Sequence, residues 1–306
     1  MFIKKTKDIE DEGIRFIGLD EEVNGKKRKF PLWILFVVVL LLLGILSGIF
    51  FYIHNKQKTE QEISYFESLE SSQFETDRSV MLQKLGREVK PEEKGFCEIL
   101  DTIEINDIPL RVFIPHNADM SLHIGKMNLQ DSTVIYAAQA ADIRADNGKI
   151  VGAFVLKGEP KAWGLSKKGF CASIDGEVTV GVADNSPLFE EATDRGGYFF
   201  RQYPLVKDGV VVENEPKNKS IRRAICDRQG EIFMVESLSR ESFHDFAQAL
   251  ADLGVDQAIY LVGGDAYGWA FDENGERHEF GDDCYYTGRK RIPTNISYIV
   301  WRRHKS

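Results

Sequence analysis

A pair of glycines followed by a carboxylate stands at the end of a short apolar run in this sequence. The run Ala258–Val262 is too short for a helix and predicts a buried strand, and Gly263, Gly264 and Asp265 follow it directly. Because glycine has no Cβ, paired glycines let backbone amides approach a ligand closely. The carboxylate of Asp265 can move a proton or ligate a cation. This stretch therefore predicts a ligand-binding corner at the rim of a sheet.

An amphipathic helix is predicted just before this strand. Its apolar residues recur with the helical period and would form one face: Phe243, Phe246, Ala247, Leu250 and Leu253. Ser239 or Ser242 can cap the N-terminus, with Asp245 three residues after Ser242 as in a capping box. Gly254 is placed for a C-terminal cap. With the apolar strand Glu231–Glu236 before it, the order strand, helix, strand predicts a crossover between parallel neighbours.

From Phe96 onward, alternating apolar residues and turn signals predict many short strands. Four hairpin turns are indicated by glycine-containing pairs or triplets: Asp146–Gly148, Asp175–Gly176, Asp208–Gly209 and Asn274–Gly275. We therefore predict one α+β domain over residues 95–306, built on a β-rich mixed sheet. The strand–helix–strand unit would lie near its C-terminal end.

A long uncharged segment predicts a membrane anchor. Pro31–Ile53 holds 23 residues without a charge, enough at about 1.5 Å per residue to cross a hydrocarbon core of about 30 Å. A cleaved signal peptide is the alternative. The basic cluster Lys26–Lys29 precedes the segment directly, so the positive-inside rule places the N-terminus in the cytoplasm. We expect a single-pass membrane protein that contacts the lipid bilayer, with its C-terminal domain periplasmic or extracellular.

Two further segments flank this predicted transmembrane helix. Residues 1–30 are polar and of mixed charge, which is typical of a short cytoplasmic tail. Residues 54–94 carry apolar side chains at helical spacing and predict a helical stem. No heptad pattern is sustained, so the stem could pack against the domain or form a homodimer.

Charge and cysteine content limit the classes of partner. Residues 54–306 carry 31 basic and 41 acidic side chains, and this acidic balance argues against nucleic acid. The four cysteines, Cys97, Cys171, Cys226 and Cys284, permit two disulfides in an oxidising compartment or four buried thiols. Their spacing is too wide for CxxC-type zinc ligation, and no cofactor or metal is identified from the sequence.

The order of several motifs is similar to that of the phosphodiester glycosidase domain family. The segments are IVGAF from Ile150, RQYPL from Arg201, IRRAI from Ile221 and AIYLVGGDAYG from Ala258. Domains of the family typically read I-N-G-G-F-F, Q-S/Y-x-P, R-T-A-I-G and A-L-x-L-D-G-G-G-S in that order. The resemblance covers Val134–Trp301, and the chain is identified as a divergent member.

Two departures from the family pattern bear on activity. Val151 stands where the family has Asn, and Val262 stands where it has Asp. A valine side chain neither transfers protons nor binds a metal. Any catalytic or ion-binding role of the family's Asn and Asp is missing here unless Asp265 substitutes for it.

The resemblance implies roles for several residues. Arg222 would bind the phosphate through its guanidinium fork, and the adjacent Arg223 would face the other way on its strand. Asp265 would act as the acid or as a metal ligand, with Glu159 as a second candidate. The other residues expected to bind substrate are Arg223, Gln202, Tyr203, Gly263, Gly264 and Tyr267.

Each of these residues also has a purely structural interpretation. The arginines could be a solvated pair, the glycines could serve only the turn, Asp265 could be a cap, and the tyrosines could be core residues. The resemblance implies a membrane-anchored hydrolase of sugar phosphodiesters on envelope or extracellular glycans. One alternative is an inactive relative that binds a glycan or a protein partner through the same cleft. Another is a structural envelope protein that dimerises through its stem.

Overall fold

Strands dominate the part of the chain that the computed structural model describes, which is residues 84–304 with Ser47 and Lys56 as isolated positions. This part contains seventeen strands in three sheets, two α-helices and one 3-10 turn at Asp283–Tyr285. Within it, every pairing between named strands is antiparallel. The predicted α+β fold with a mixed sheet is therefore corrected to a mainly β fold of antiparallel sheets.

The largest sheet has seven strands in the spatial order β1-β2-β13-β12-β14-β10-β11. Its members are β1 Phe96–Ile105, β2 Ile108–His116, β10 Pro204–Lys207, β11 Val210–Val211, β12 Arg223–Arg228, β13 Glu231–Ser237 and β14 Gln257–Leu261. Three of the four predicted hairpin turns join neighbouring strands, one of them between β10 and β11 in this sheet. The fourth, at Asp146–Gly148, closes only an isolated bridge between Ile143 and Ile150.

Two five-stranded sheets complete the fold. One has the order β16-β15-β4-β17-β3 and contains β3 Ala118–Ile124, β4 Val134–Gln139, β15 Gly268–Phe271, β16 Arg277–Phe280 and β17 Ser297–Arg303. The other has the order β6-β5-β9-β7-β8 and contains β5 Ala153–Leu156, β6 Glu159–Trp163, β7 Gly169–Ile174, β8 Glu177–Val182 and β9 Tyr198–Gln202. A shared core contains buried side chains from all three sheets, among them Phe113, Tyr136 and Phe200.

The predicted amphipathic helix is present as α2, Phe243–Asp252, while α1 is the shorter Leu188–Asp194. Phe246 and Leu250 of α2 are fully buried against one face of the seven-stranded sheet. Burial of each stabilises the fold by about 1.5–3 kcal/mol relative to exposure. Because β12 pairs antiparallel with both β13 and β14, the two strands joined by α2 run in the same direction. They are not neighbours, however, since β12 lies between them.

The predicted membrane protein is corrected by this architecture. Among the described residues, no helix is long and apolar enough to cross a membrane, so the single-pass topology and the periplasmic or extracellular location inferred from it are not supported. The predicted stem is not helical where it can be seen, because residues 84–94 form bends and a turn that include Gly86 and Pro91. Apart from Ser47 and Lys56, the predicted tail, the apolar segment 31–53 and residues 54–83 lie outside the described residues. The homodimer through the stem stays a prediction.

The four cysteines are free thiols, and all are buried. Burial raises the pKa of the Cys97, Cys171 and Cys226 thiols, because a low-dielectric environment disfavours the thiolate. Of the two possibilities left by the sequence, the structure has buried thiols rather than disulfides.

The N-terminal cap of α2 gives a first test of the fold. The Ser242 hydroxyl accepts a hydrogen bond from the Asp245 amide at 3.0 Å. We expect Ser242→Ala to lower the free energy of unfolding by about 1 kcal/mol, because an amide of the first turn loses its acceptor. Urea unfolding measures the change. Ser132→Ala is the control, since the exposed Ser132 hydroxyl has no hydrogen bond within residues 84–304, and an equal loss in both variants would contradict the assigned cap.

Candidate functional site

Three of the motif segments meet at one short stretch, Gln139–Asp142, where β4 ends. The Val262 amide donates to the Gln139 carbonyl at 3.1 Å, and the Gln202 side-chain amide is 3.4 Å from the Ala140 carbonyl. The Val151 amide donates to the Asp142 carbonyl at 2.9 Å. The ends of β14, β9 and the loop before β5 are thus brought to a common point.

Asp142 is the carboxylate at this point. Its Oδ2 accepts a hydrogen bond from Gln202 Nε2 at 3.1 Å and lies 3.6 Å from Lys167 Nζ. Within residues 84–304, its Oδ1 has no hydrogen bond, and the side chain is 34% exposed. One carboxylate oxygen is therefore oriented by the protein, while the other can receive a ligand.

An aromatic cluster contacts Lys167, the cation next to Asp142. Lys167 is buried, with its Nζ only 2.8 Å from the centre of the Tyr203 ring. The Tyr203 ring packs against Phe243 and Tyr260, with centroid distances of 5.4 and 6.5 Å. Electrostatic attraction to the ring face stabilises the ammonium group in a position with little access to water.

Arg222 belongs to the same aromatic cluster but is bound to the backbone. Its guanidinium lies 4.1 Å from the Phe243 ring centre, Nε donates to the Glu241 carbonyl at 2.9 Å, and NH2 donates to the Asn218 carbonyl. These contacts fix the loops around β12 and α2. The side chain predicted to bind phosphate is thus buried and already hydrogen-bonded.

Arg223 is the first residue of β12 and points away from Arg222, with its guanidinium 4.6 Å from the Phe280 ring centre. Its Nε donates to the Glu236 carboxylate at 2.5 Å. Its NH1 donates to the Val262 carbonyl at 3.1 Å and to the Ala266 carbonyl at 2.7 Å. Arg223, rather than Arg222, therefore clamps both ends of the glycine turn that follows β14.

The glycine corner itself is closed by packing. The Gly263 amide donates to the Tyr260 hydroxyl at 2.9 Å, and the Gly264 amide donates to the Ile221 carbonyl at 2.8 Å. A Cβ at Gly263 would come within 2.2 Å of that same carbonyl, and Gly264 has a φ of +59°. Both glycines are required by the turn, and their amides are already paired within the protein.

Three other predicted residues lie apart from Asp142. The Asp265 side chain is exposed and has no hydrogen bond or ion pair within the described part of the chain. Tyr267 is buried beside Trp269, with its hydroxyl bonded to Glu279 and Arg277, and burial raises its pKa to about 12. Glu159 is exposed on β6 and pairs with Lys161 at 2.5 Å.

A cleft of about 700 Å³ is lined in part by Val151. Arg144, Lys149 and Lys161 are among its lining residues, which include no carboxylate. Trp163 also lines it and is 68% exposed. The cleft combines positive charge with an accessible aromatic face, which suits a ligand that carries both a phosphate and a sugar ring.

Sequence reasoning missed Asp142, Lys167 and Trp163. Asp142 had a usable signal, because it is the first charged residue after the strand that begins at Val134. Trp163 follows the IVGAF motif segment by nine residues and could have been noted there. Lys167 had no signal, since a lysine pair in a loop is usually solvated.

One group of side chains outside this site has the composition of a metal site. Asp272, Glu276 and His278 place their ligand atoms within 4.8 Å of one another at the β15–β16 turn. The Asp272 carboxylate accepts hydrogen bonds from the amides of Asn274 and Glu276 at 2.9 and 2.8 Å and contacts His278 Nε2 at 3.2 Å. These bonds account for the cluster as a feature of the hairpin turn, and we assign no metal to it.

The buried ion pair between Arg223 and Glu236 provides a second test. We expect Arg223→Met to lower the free energy of unfolding by about 3–5 kcal/mol, because it leaves a buried carboxylate without its partner. Adding Glu236→Leu should restore a large part of this loss, because the unpaired charge is then removed as well. Urea unfolding followed by tryptophan fluorescence measures both variants. A double variant no more stable than Arg223→Met would contradict this account of the pair.

Comparisons with known proteins agree with the motif order. The sequence of residues 124–297 matches the phosphodiester glycosidase family. The fold is similar to the zebrafish N-acetylglucosamine-1-phosphodiester alpha-N-acetylglucosaminidase catalytic domain auto-inhibited by its pro-peptide, at 13% identity and a TM-score of 0.48, covering 72% of this chain and 86% of that one. A hypothetical protein from Synechocystis is similar at 11% identity and a TM-score of 0.44, covering 68% of this chain and 61% of that one. Curated protein sequences contain no match. Because the matched residues make up more than half of the sequence, the chain belongs to the phosphodiester glycosidase family.

Proposed function

We propose that this protein hydrolyses phosphodiesters of sugars, with Asp142 as the catalytic carboxylate. The observation that carries the proposal is the meeting of the Val262, Gln202 and Val151 segments at Gln139–Asp142. In a member of a glycosidase family, a carboxylate placed where the motif segments converge is the natural candidate for proton transfer. Asp265, the residue selected from the sequence, remains the second candidate.

The chemistry requires a proton donor or acceptor next to the scissile bond and positive charge next to the phosphate. The free Oδ1 of Asp142 can exchange a proton with the leaving oxygen or with an attacking water. Gln202 holds the other oxygen, and Lys167 supplies a buried positive charge 3.6 Å from it. A fixed charge of this kind stabilises developing negative charge without having to reorganise during the reaction.

The cleft beside Val151 would hold the rest of the substrate. Lys149 has no ion pair within residues 84–304, so its ammonium is available to a phosphate. Arg144 and Lys161 add positive charge, although exposed carboxylates already pair with them. The exposed indole of Trp163 provides a flat surface for a sugar ring. The proposed substrate class is therefore a glycan or small sugar that carries a phosphodiester.

A second candidate function is binding without turnover. It is favoured by the valines at positions 151 and 262 and by the closed glycine corner. An inactive relative would use the same cleft to retain a phosphorylated glycan or a protein partner. In the hydrolytic function Asp142 transfers a proton to or from the reacting groups, whereas in the binding function it only contacts the ligand.

Replacing the carboxylate separates these functions. We expect Asp142→Asn to lower kcat on a sugar-1-phosphodiester by about 10²–10⁴-fold, because an amide cannot transfer the proton. The substitution keeps the size of the side chain, so folding should be unchanged. Release of the phosphomonoester from a panel of sugar-1-phosphodiesters measures the rate, and circular dichroism checks the fold.

Asp265→Asn is the matched control for this experiment. Because Asp265 lies in an exposed turn without side-chain partners, we expect this variant to keep near wild-type turnover. Loss of activity in Asp265→Asn, with activity kept in Asp142→Asn, would move the reaction centre to the β14–β15 turn. A wild-type protein that binds the panel but releases no product would establish the binding function instead.

The cleft is tested through its exposed aromatic residue. We expect Trp163→Ala to weaken binding of the sugar phosphodiester by about tenfold, equivalent to about 1.4 kcal/mol, because the stacking surface is lost. Leu165→Ala is the control: Leu165 lies two residues further along the chain and is exposed to a similar degree, but it does not line the cleft. Isothermal titration calorimetry measures both affinities. Equal weakening in both variants would argue that the ligand binds elsewhere.

A further inference from the structure

A second cavity, of about 810 Å³, lies where the β12–β13 hairpin turns. Its walls come from the hairpin residues Arg228–Ile232, the end of β2 and the segment before β1. Arg223 and Arg228 are the first and last residues of β12, so about 17 Å of strand separates this cavity from the glycine turn. Neither Asp142 nor the cationic cleft contributes to it.

Arg228 lines this cavity and is only 5% exposed. Both terminal nitrogens of its guanidinium are buried and have no hydrogen-bond acceptor within residues 84–304. Burial lowers the pKa of Arg228, because the charged form loses its hydration. A buried guanidinium without an acceptor costs several kcal/mol of folding free energy, so an arginine at this position requires an explanation.

The carboxylates nearest to Arg228 are bound to other groups. Glu231 accepts hydrogen bonds from the amides of Leu85 and Gly86 at 3.1 and 2.9 Å. Asp256 accepts from the Gln229 amide at 2.8 Å. Both raise the pKa of Arg228 through their charge, yet neither forms a hydrogen bond with its guanidinium. The two terminal nitrogens of Arg228 therefore have no acceptor within residues 84–304.

Two other charged or titratable groups of the cavity already have partners within the protein. Arg87 pairs with Glu273 and lies over the Phe96 ring, and His116 contacts Glu98 at 2.8 Å. Lys84 has no ion pair within the described residues. The lining contains the cations Lys84, Arg87 and Arg228 against the two carboxylates Glu88 and Glu231.

We propose that this cavity is an oxyanion site, in which Arg228 donates its two terminal N–H groups to a phosphate or carboxylate group of a small molecule. Paired donation of this kind is the preferred geometry between a guanidinium and an oxyanion. Because both nitrogens are shielded from water, binding of the oxyanion requires neighbouring side chains to move. Lys84, at the start of this wall, adds a second positive charge for the same ligand.

Titration of the full chain with inorganic phosphate, and separately with succinate, tests the proposal. The two ligands distinguish a phosphate from a carboxylate source. We expect saturable binding of at least one of them, about tenfold weaker in Arg228→Gln and in Lys84→Glu. Arg240→Gln is the matched control, since the exposed Arg240 has no hydrogen bond or ion pair within residues 84–304, and its affinity should equal that of the wild type.

Phosphate could also enter the cleft beside Val151, so every titration is repeated in a Lys149→Ala background. Binding that survives in Lys149→Ala and is lost in Arg228→Gln supports the second site, whether or not the protein hydrolyses a sugar phosphodiester. If Arg228→Gln unfolds, Lys84→Glu alone decides the matter. The proposal is overturned if neither ligand binds at concentrations up to about 50 mM, or if binding is unchanged in both variants.

Discussion

The hydrogen bond from the Val262 amide to the Gln139 carbonyl joins two sheets at the point where both strands end. It connects β14 of the seven-stranded sheet with β4 of a five-stranded sheet. The two residues that follow Gln139 are bound to β17. The Ala140 amide donates to the Ser297 carbonyl at 3.0 Å, and the Ala141 amide donates to the Ser297 hydroxyl at 3.1 Å. With its backbone fixed in this way, Asp142 has a defined position, and Gln202 and Lys167 orient its carboxylate.

Arg222 and Arg223 are buried and form hydrogen bonds within the protein. Arg222 precedes β12 and Arg223 begins it; Arg222 packs over Phe243 and Arg223 over Phe280, and each donates to carbonyl acceptors there. Arg223 also neutralises the buried Glu236. Removing either partner alone would leave a buried unpaired charge and lower the free energy of unfolding. The glycine turn that was predicted to bind a ligand is thus closed by hydrogen bonds within the protein. Such a turn can still support a site by holding the neighbouring Tyr260 hydroxyl and the end of β14 in place.

Local patterns in the sequence predicted the local structure well. The N-terminal cap at Ser242, the apolar face of α2 and three of the four hairpin turns are present, because these features depend on a few adjacent residues. Predictions that needed long-range information were less successful. Nothing in the run from β13 through α2 to β14 indicates that β12 lies between the two strands. The triplet Asp146–Gly148 has the composition of a tight hairpin, yet its flanking strands β4 and β5 belong to different sheets.

The candidate site shows the same limit. Motif order identified segments that converge in the structure, namely Gln202 and the stretches around Val151 and Val262. It could not show which side chain stands at their meeting point, because Asp142 belongs to none of the quoted motifs. A sequence of two glycines and a carboxylate predicts a ligand-binding corner whether the glycine amides are free or already hydrogen-bonded within the protein. Only the partners at Tyr260 and Ile221 distinguish the two cases.

The two valines make part of the site apolar, but polar side chains remain in it. Val151 and Val262 contribute apolar side chains at positions where the sequence pattern of the family has an amide and a carboxylate, while their backbone amides still tie the strand ends together. The polar groups that remain are supplied from neighbouring positions, namely Asp142, Gln202 and Lys167. A carboxylate with one oriented oxygen and one free oxygen has the freedom that proton transfer requires, whereas the buried Arg222 does not. These properties support our proposal that Asp142, just after β4, rather than the glycine turn after β14, is the centre of the chemistry.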